Sequence, residues 1–246
     1  RKIETCKSEP HRDTLDALSS ALKCSVFDLL RPIPELKTLR FRAAKLTAQQ
    51  TNAKKQLITD FAVYLKNYAF LESLIPEKKL AFKLEALLGA TQDPVKMAAK
   101  ARNMLNLNED TVINSIFDLL EHAGIKLFYN DFGHNKIFGF SVSSDDGGPA
   151  ICINCNKKIS VERQIFTAAH ELGHLLLHPE SFSGEVKEEQ KADENDADIF
   201  ASYFLIPDNA FMKKYNEYRG KDLVSLVLSM KSYFRVSYKT ILFRIN

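Results

Sequence analysis

Apolar residues recur along most of this chain at helical spacing. Over residues 13–23, Leu15, Leu18, Ala21 and Leu22 share one face, with Asp13 or Thr14 able to cap the start. Ser25 can cap a second short helix, 26–30, which Pro32 and Pro34 stop. The Pro-flanked stretch 31–38 reads as a linker. A long pattern follows over 48–75, with Leu57, Phe61, Tyr64, Leu65 and Tyr68 as its stripe and Pro76 as its end. Further helices are expected over 77–88, ending at Gly89, and from Asp93-Pro94 to about 107. A helix over 110–123 turns Ile113, Ile116, Phe117 and Leu120 inward and ends at Gly124. The period then changes. Residues 125–128, 137–142 and 150–154 are short β-rich runs separated by Asn-Asp-Phe-Gly and Asp-Asp-Gly-Gly-Pro turns, which predicts a small antiparallel sheet. Helical spacing returns over 160–178, 188–205, 208–218, 222–234 and from Ser237. The expected class is α+β, mostly helical.

Composition narrows the choices only slightly. Hydrophobic residues make up 45% of the 246 and charged residues 26%, as in ordinary folded domains. No run approaches the ~20 apolar residues of a membrane span, and no leader-like start is visible. A membrane partner is therefore not expected. The net charge of +3 is unevenly placed. Residues 1–56 carry twelve Lys and Arg against six Asp and Glu, while 57–246 carry twenty-two against twenty-five. A basic head on a slightly acidic body suggests two units with different partners. Cys152 and Cys155 form a CxxC, but on a strand positions three apart face opposite ways. They read as unpaired cysteines in a reducing cytosol, with cytoplasmic localisation.

The chemistry concentrates in His170-Glu171-Leu172-Gly173-His174, set in the apolar helical run 165–177. Positions i and i+4 share a helix face, so both imidazoles can reach one cation. Glu171 stands beside that cation and can take a proton from a water activated there. His178 continues the i+4 series, but eight residues span ~12 Å of helix, too far for bonds of ~2.1 Å. It reads as a helix-end residue. The third ligand is expected on the next helix. Ala197, Phe200, Ala201 and Phe204 mark its buried face, and Glu194 lies on that face. Asp198, one turn along, can hold the other ring nitrogen of His170 or His174. Two His and one carboxylate suit Zn2+ best.

The run 163–178, paired with Glu194-Asn-Asp-Ala-Asp-Ile-Phe-Ala and its Leu-Ile-Pro ending, resembles the ImmA/IrrE metallopeptidases. The likeness extends over about residues 95–246, from before the strand 150–154 to Val236-Ser237 and Phe243-Arg244. It implies a zincin-like peptidase domain, with the HExxH helix packed on the small sheet. The head, Arg1–Pro10 with Thr14–Leu22 and Val26–Leu30, is similar to the second half of an Xre/Cro-type helix-turn-helix. Cys6 stands where Gly is usual there, and Ser19 where Ala is usual. The resemblance implies that the first helices of that motif precede Arg1, and that the complete motif binds DNA. The segment 39–42 and the helix after it resemble the connector of such fusions. The division is then 1–31 partial helix-turn-helix, 32–92 helical connector and 93–246 peptidase domain.

For function, the resemblance implies a zinc-dependent endopeptidase that regulates transcription by cleaving a protein, typically a repressor. His170, His174 and Glu194 would hold the metal, and Glu171 would act as general base and acid. The strand 150–155 would offer an edge to an extended substrate. Tyr203, Tyr215, Tyr129 and His134 all remain open as the group that stabilises the oxyanion. The competing reading is a DNA-binding transcription factor whose zinc-site domain senses a partner without proteolysis. The helices over 48–88 can pack on a second copy, as a homodimer, or on the catalytic domain.

Overall fold

A computed structural model describes residues 9–30, 36, 39–40, 48–78, 80–182 and 191–245. The chain divides into two compact units, Arg1–Pro34 and Glu35–Asn246. The first holds α1 (Arg12–Leu22) and α2 (Val26–Leu30). α1 ends on Lys23 in the left-handed region, with φ 53°, whose N–H returns to the Ser19 carbonyl. Ser25 caps α2 reciprocally: its Oγ accepts from the Asp28 N–H, and its own N–H donates to the Asp28 carboxylate. Residues 1–8, Cys6 included, which begin the stretch similar to the second half of a helix-turn-helix, lie outside the described residues. So does most of the expected linker.

The second unit is built around a sheet. Its strands are β1 (Leu39–Arg40), β2 (Lys126–Asn130), β3 (Gly139–Val142) and β4 (Ala150–Asn154), in the order β1-β3-β4-β2. The sheet is mixed, not antiparallel as expected. β4 runs antiparallel to β3 but parallel to β2. The reason lies in the 131–138 connection, which does not fold back as a hairpin but passes over the place that β4 later fills. Buried Asn154 pins this crossing. Its Nδ2 donates to the carbonyls of His134 and Ile137, both at 2.7 Å, and its Oδ1 accepts from the N–H of Phe132 and Asn156.

Helices cover both faces, following the period-2 alternation of strand side chains. α3 (Ala48–Leu74) lays Leu57, Phe61 and Leu65 on Phe140, Val142, Ala150 and Cys152. Tyr64 adds a hydrogen bond from its hydroxyl to the Leu127 carbonyl at 2.8 Å. α3 is thus part of the second unit's core. On the opposite face, Leu127, Ile151 and Ile153 meet a larger core. That core is formed by α4 (Pro94–Met104), α5 (Ile116–His122), α6 (Val161–Leu177), α7 (Lys191–Leu205), α8 (Asp208–Tyr218), α9 (Leu223–Phe234) and α10 (Tyr238–Ile245). No helix among the described residues is long and apolar enough to cross a membrane.

Two expected helices differ. Among the described residues of 77–88 there are only short 3-10 turns, at Pro76–Lys78 and Glu85–Leu87. Here tertiary partners take backbone groups that a helix would use: Lys83 N–H donates to the Ala123 carbonyl, and Gly89 N–H to the Leu176 carbonyl. Gly124, with φ 83°, allows this approach, because a Cβ there would lie 2.5 Å from the Ala81 carbonyl oxygen. The helix expected over 110–123 begins only at Ile116, capped by Ser115. The preceding loop is held open by buried Arg102. Its guanidinium donates to the carbonyls of Asn108 and Thr111, at 2.8 and 2.6 Å, and to that of Phe204.

Candidate metal centre

α6 begins at Ser160, whose Oγ accepts from the Arg163 N–H, and runs unbroken through the HExxH segment. His170, Glu171 and His174 are all buried, at 9%, 7% and 2% exposure. Polar side chains in such a core need partners, and α7 supplies carboxylates to the two histidines. Gly173 lets the two helices meet: a Cβ there would lie 2.9 Å from the Phe200 ring and 3.3 Å from the Ala197 Cα. That close crossing brings Glu194 to the imidazoles.

The three expected ligands converge. Their donor atoms all lie within 4.8 Å of one another. The two Nε2 atoms are 3.0 Å apart, and the Glu194 oxygens stand 3.1 Å from His174 Nε2 and 3.5 Å from His170 Nε2. Ligands at ~2.1 Å around one zinc ion would sit roughly 3.4 Å apart, so the donor set fits a tetrahedral cation with one position to spare. Two imidazole lone pairs and a carboxylate facing one point repel unless something positive lies between them. Burial disfavours charge here, yet the contacts override it. Asp198 and Glu194 raise the His170 pKa to about 9, while the imidazoles hold Glu194 far below the usual carboxylate range.

Asp198 accepts from His170, with its Oδ1 2.8 Å from Nδ1. That contact leaves His170 Nε2 as the lone-pair donor toward the cluster. His178 does not join the three-residue group, as the helix geometry required; its Nδ1 instead meets Nδ1 of His174 at 3.2 Å.

Ser141 had no signal in the sequence. Its hydroxyl donates to Glu171 Oε2 at 2.7 Å in a buried contact between β3 and α6. Gly139, two residues earlier on the same face, permits the contact. A Cβ there would strike Thr167 Cγ2 at 2.6 Å and the Cys152 carbonyl oxygen at 2.8 Å.

A cleft of about 270 Å³ opens beside His170, lined by Lys136, Phe138, Gly139, Arg163 and Phe166 among others. β4 does not offer the edge expected of it, because β2 pairs with it over 150–154 and β3 over 150–153, one on each side. The strand at the cleft is β3. β1 pairs with β3 only at Ser141 and Val142, which leaves Gly139 without a strand partner on that side among the described residues. None of the four aromatic candidates for the oxyanion lines this cleft. Tyr129 packs edge-on against Phe117, Tyr203 lies under the Arg244 guanidinium, and Tyr215 stacks on Phe211. His134 sits in the 131–138 crossing with its carbonyl bound by Asn154. The cationic side chains at the cleft are Lys136 and Arg163.

No curated protein matches the chain. The family model of the IrrE N-terminal-like domain, Peptidase M78, matches residues 120–246. That span holds the HExxH helix, the carboxylates of α7 and strands β2 to β4. With just over half of the chain and every residue of the centre inside the match, the chain belongs to the Peptidase M78 family and carries its metallopeptidase-type domain.

Proposed function

We propose that this protein is a zinc-dependent endopeptidase and transcriptional regulator, and that its substrate is a repressor-type protein in the cytoplasm. The observation that carries the catalytic reading is the meeting of His170, His174 and Glu194 beside a Glu171 that is itself held by Ser141. In this reading His170, His174 and Glu194 hold the ion. Zinc supplies two things when bound: it lowers the pKa of water toward ~7 and polarises a carbonyl. Glu171 takes the proton of the attacking water on its carboxylate and passes it to the leaving amine. The Ser141 hydrogen bond to Oε2 holds the Glu171 carboxylate in place for that transfer. Asp198 keeps the proton of His170 on Nδ1. An extended peptide would lie along the Gly139 edge of β3, where Gly leaves the backbone accessible. Lys136 or Arg163 is placed to face the oxyanion.

The regulatory part rests on the resemblance of the first unit to a helix-turn-helix and on the basic charge of residues 1–56. DNA is the partner proposed for the complete N-terminal domain. The test is cleavage of a cognate repressor by the wild-type protein and by Glu171→Gln. Cleavage by the wild type alone is expected, at an acceleration that the variant loses by 10²-fold or more, on the order of a general-base contribution. Equal cleavage by both, or regulation that persists unchanged in the variant, would overturn the proposal in favour of a non-proteolytic sensor.

A further inference from the structure

We propose that His178 and Asp193 are positioning residues that orient His174 through a chain of two polar contacts, a proposal that rests on reading the centre as a zinc site. His174 turns Nε2 toward Glu194 and His170, so Nδ1 is its one remaining ring nitrogen. That Nδ1 stands 3.2 Å from Nδ1 of His178. His178 Nε2 in turn faces Asp193 Oδ1 at 3.8 Å.

Proton placement along this chain has one self-consistent solution. Two ring nitrogens can share a hydrogen bond only if one of them carries hydrogen. A ligating His174 must present a lone pair at Nε2, so its hydrogen sits on Nδ1 and donates to His178. His178 then accepts at Nδ1 and carries its own hydrogen on Nε2, directed at the Asp193 carboxylate. The reverse order would place the His174 hydrogen on Nε2, where it would block the cation. The Asp193 charge favours the productive arrangement because it attracts an N–H at the far nitrogen of His178. His174 and His178 are both buried, so these contacts act in a medium of low polarity.

His170 uses a shorter version of the same device, since Asp198 meets its Nδ1 directly. Asp193, Glu194 and Asp198 all stand on α7. One helix therefore carries the third ligand and both terminal carboxylates, and its docking against Gly173 sets all three together. The end of α6 brings His178 into place. The helix stops at Leu177, and the His178 N–H closes the last turn on the His174 carbonyl at 3.0 Å before Pro179 leads the chain away.

The experiment is zinc affinity by competition with a chromophoric chelator, together with the visible spectrum of the Co2+-substituted protein. His178→Leu is expected to weaken zinc binding about tenfold to hundredfold, the usual cost of losing such a partner, and to alter the Co2+ bands. His178→Gln can accept from His174 through its amide oxygen and turn its amide hydrogens toward Asp193, so it should recover most of the loss. Asp193→Asn should show a smaller loss in the same direction, and Asp196→Asn none. Should His178→Leu fail to fold, as judged by circular dichroism, Asp193→Asn and His178→Gln decide. Wild-type affinity and spectrum in Asp193→Asn and in every folded His178 variant would overturn the chain while leaving the zinc reading intact. An equal loss in Asp196→Asn would overturn it too, by assigning the effect to the charge of α7 as a whole. A wild-type protein that binds no zinc would overturn both readings together.

Discussion

Ser141 and Glu171 lie thirty residues apart and meet in a buried hydrogen bond of 2.7 Å, with the hydroxyl as donor and Oε2 as acceptor. A hydrogen bond to a charged group is worth about 1.5–3 kcal/mol. Ser141→Ala should therefore lower kcat by about tenfold to hundredfold, since each ~1.4 kcal/mol is a factor of ten. Zinc affinity should stay near wild type, because Ser141 touches none of the proposed ligands. A variant that loses zinc along with activity would show that Ser141 supports the fold of the centre rather than the base.

Gly173 governs the spacing of α6 and α7. Its substitution by Ala places a methyl group 2.9 Å from the Phe200 ring. Overpacking of this kind costs about 1–3 kcal/mol. The expected outcome is a lowered Tm together with weakened zinc binding, because Glu194 rides on the displaced helix. Calorimetry and chelator competition measure the two effects. A fall in Tm with unchanged affinity would mean that the helices yield elsewhere.

The Lys231 ammonium beside Glu162 holds that carboxyl below its ordinary value of 4.5. A depressed carboxylate pKa stabilises the fold fully above the unfolded value, and the contribution is lost as pH falls through the folded one. Both side chains are nearly a third exposed, at 29% and 30%, so the pair is worth less than about 1 kcal/mol. Urea unfolding of Lys231→Met should show a small loss of stability at pH 7 that fades as pH falls below 4.5 and through the lowered folded-state value. A deficit that persists unchanged at low pH would assign Lys231's contribution to packing.

Cys152 and Cys155 should differ sharply in reactivity. Cys152 is fully buried against α3, and burial pushes its thiol well above the usual range, whereas Cys155 is exposed. Thiolate is the reactive form. Brief alkylation of the native protein, followed by peptide mass analysis, should mark Cys155 and reach Cys152 only after denaturation. Rapid native labelling of Cys152 would mean that α3 opens readily from the sheet.

How far the sequence could be read follows from the range of the interactions involved. His170 and His174 share a face because the helical period is a local property, and the phase of the apolar residues in α7 already turned Glu194 inward. Asp198 followed from the same phase. The caps at Ser25 and Asp93 are local too. What only the tertiary structure decided involves groups distant along the chain. The parallel pairing of β2 with β4 depends on where the 131–138 crossing runs, and that is settled by Asn154 from beyond it. Residues 77–88 have helical spacing, but Lys83 and the flanking Gly89 donate their N–H groups to Ala123 and Leu176 instead. The edge at the cleft passed from β4 to β3 because strand order, unlike strand propensity, is a matter of global packing. Ser141 beside Glu171, and Asp193 beyond His178, are contacts that no spacing could announce, since they exist only once α6 lies between β3 and α7.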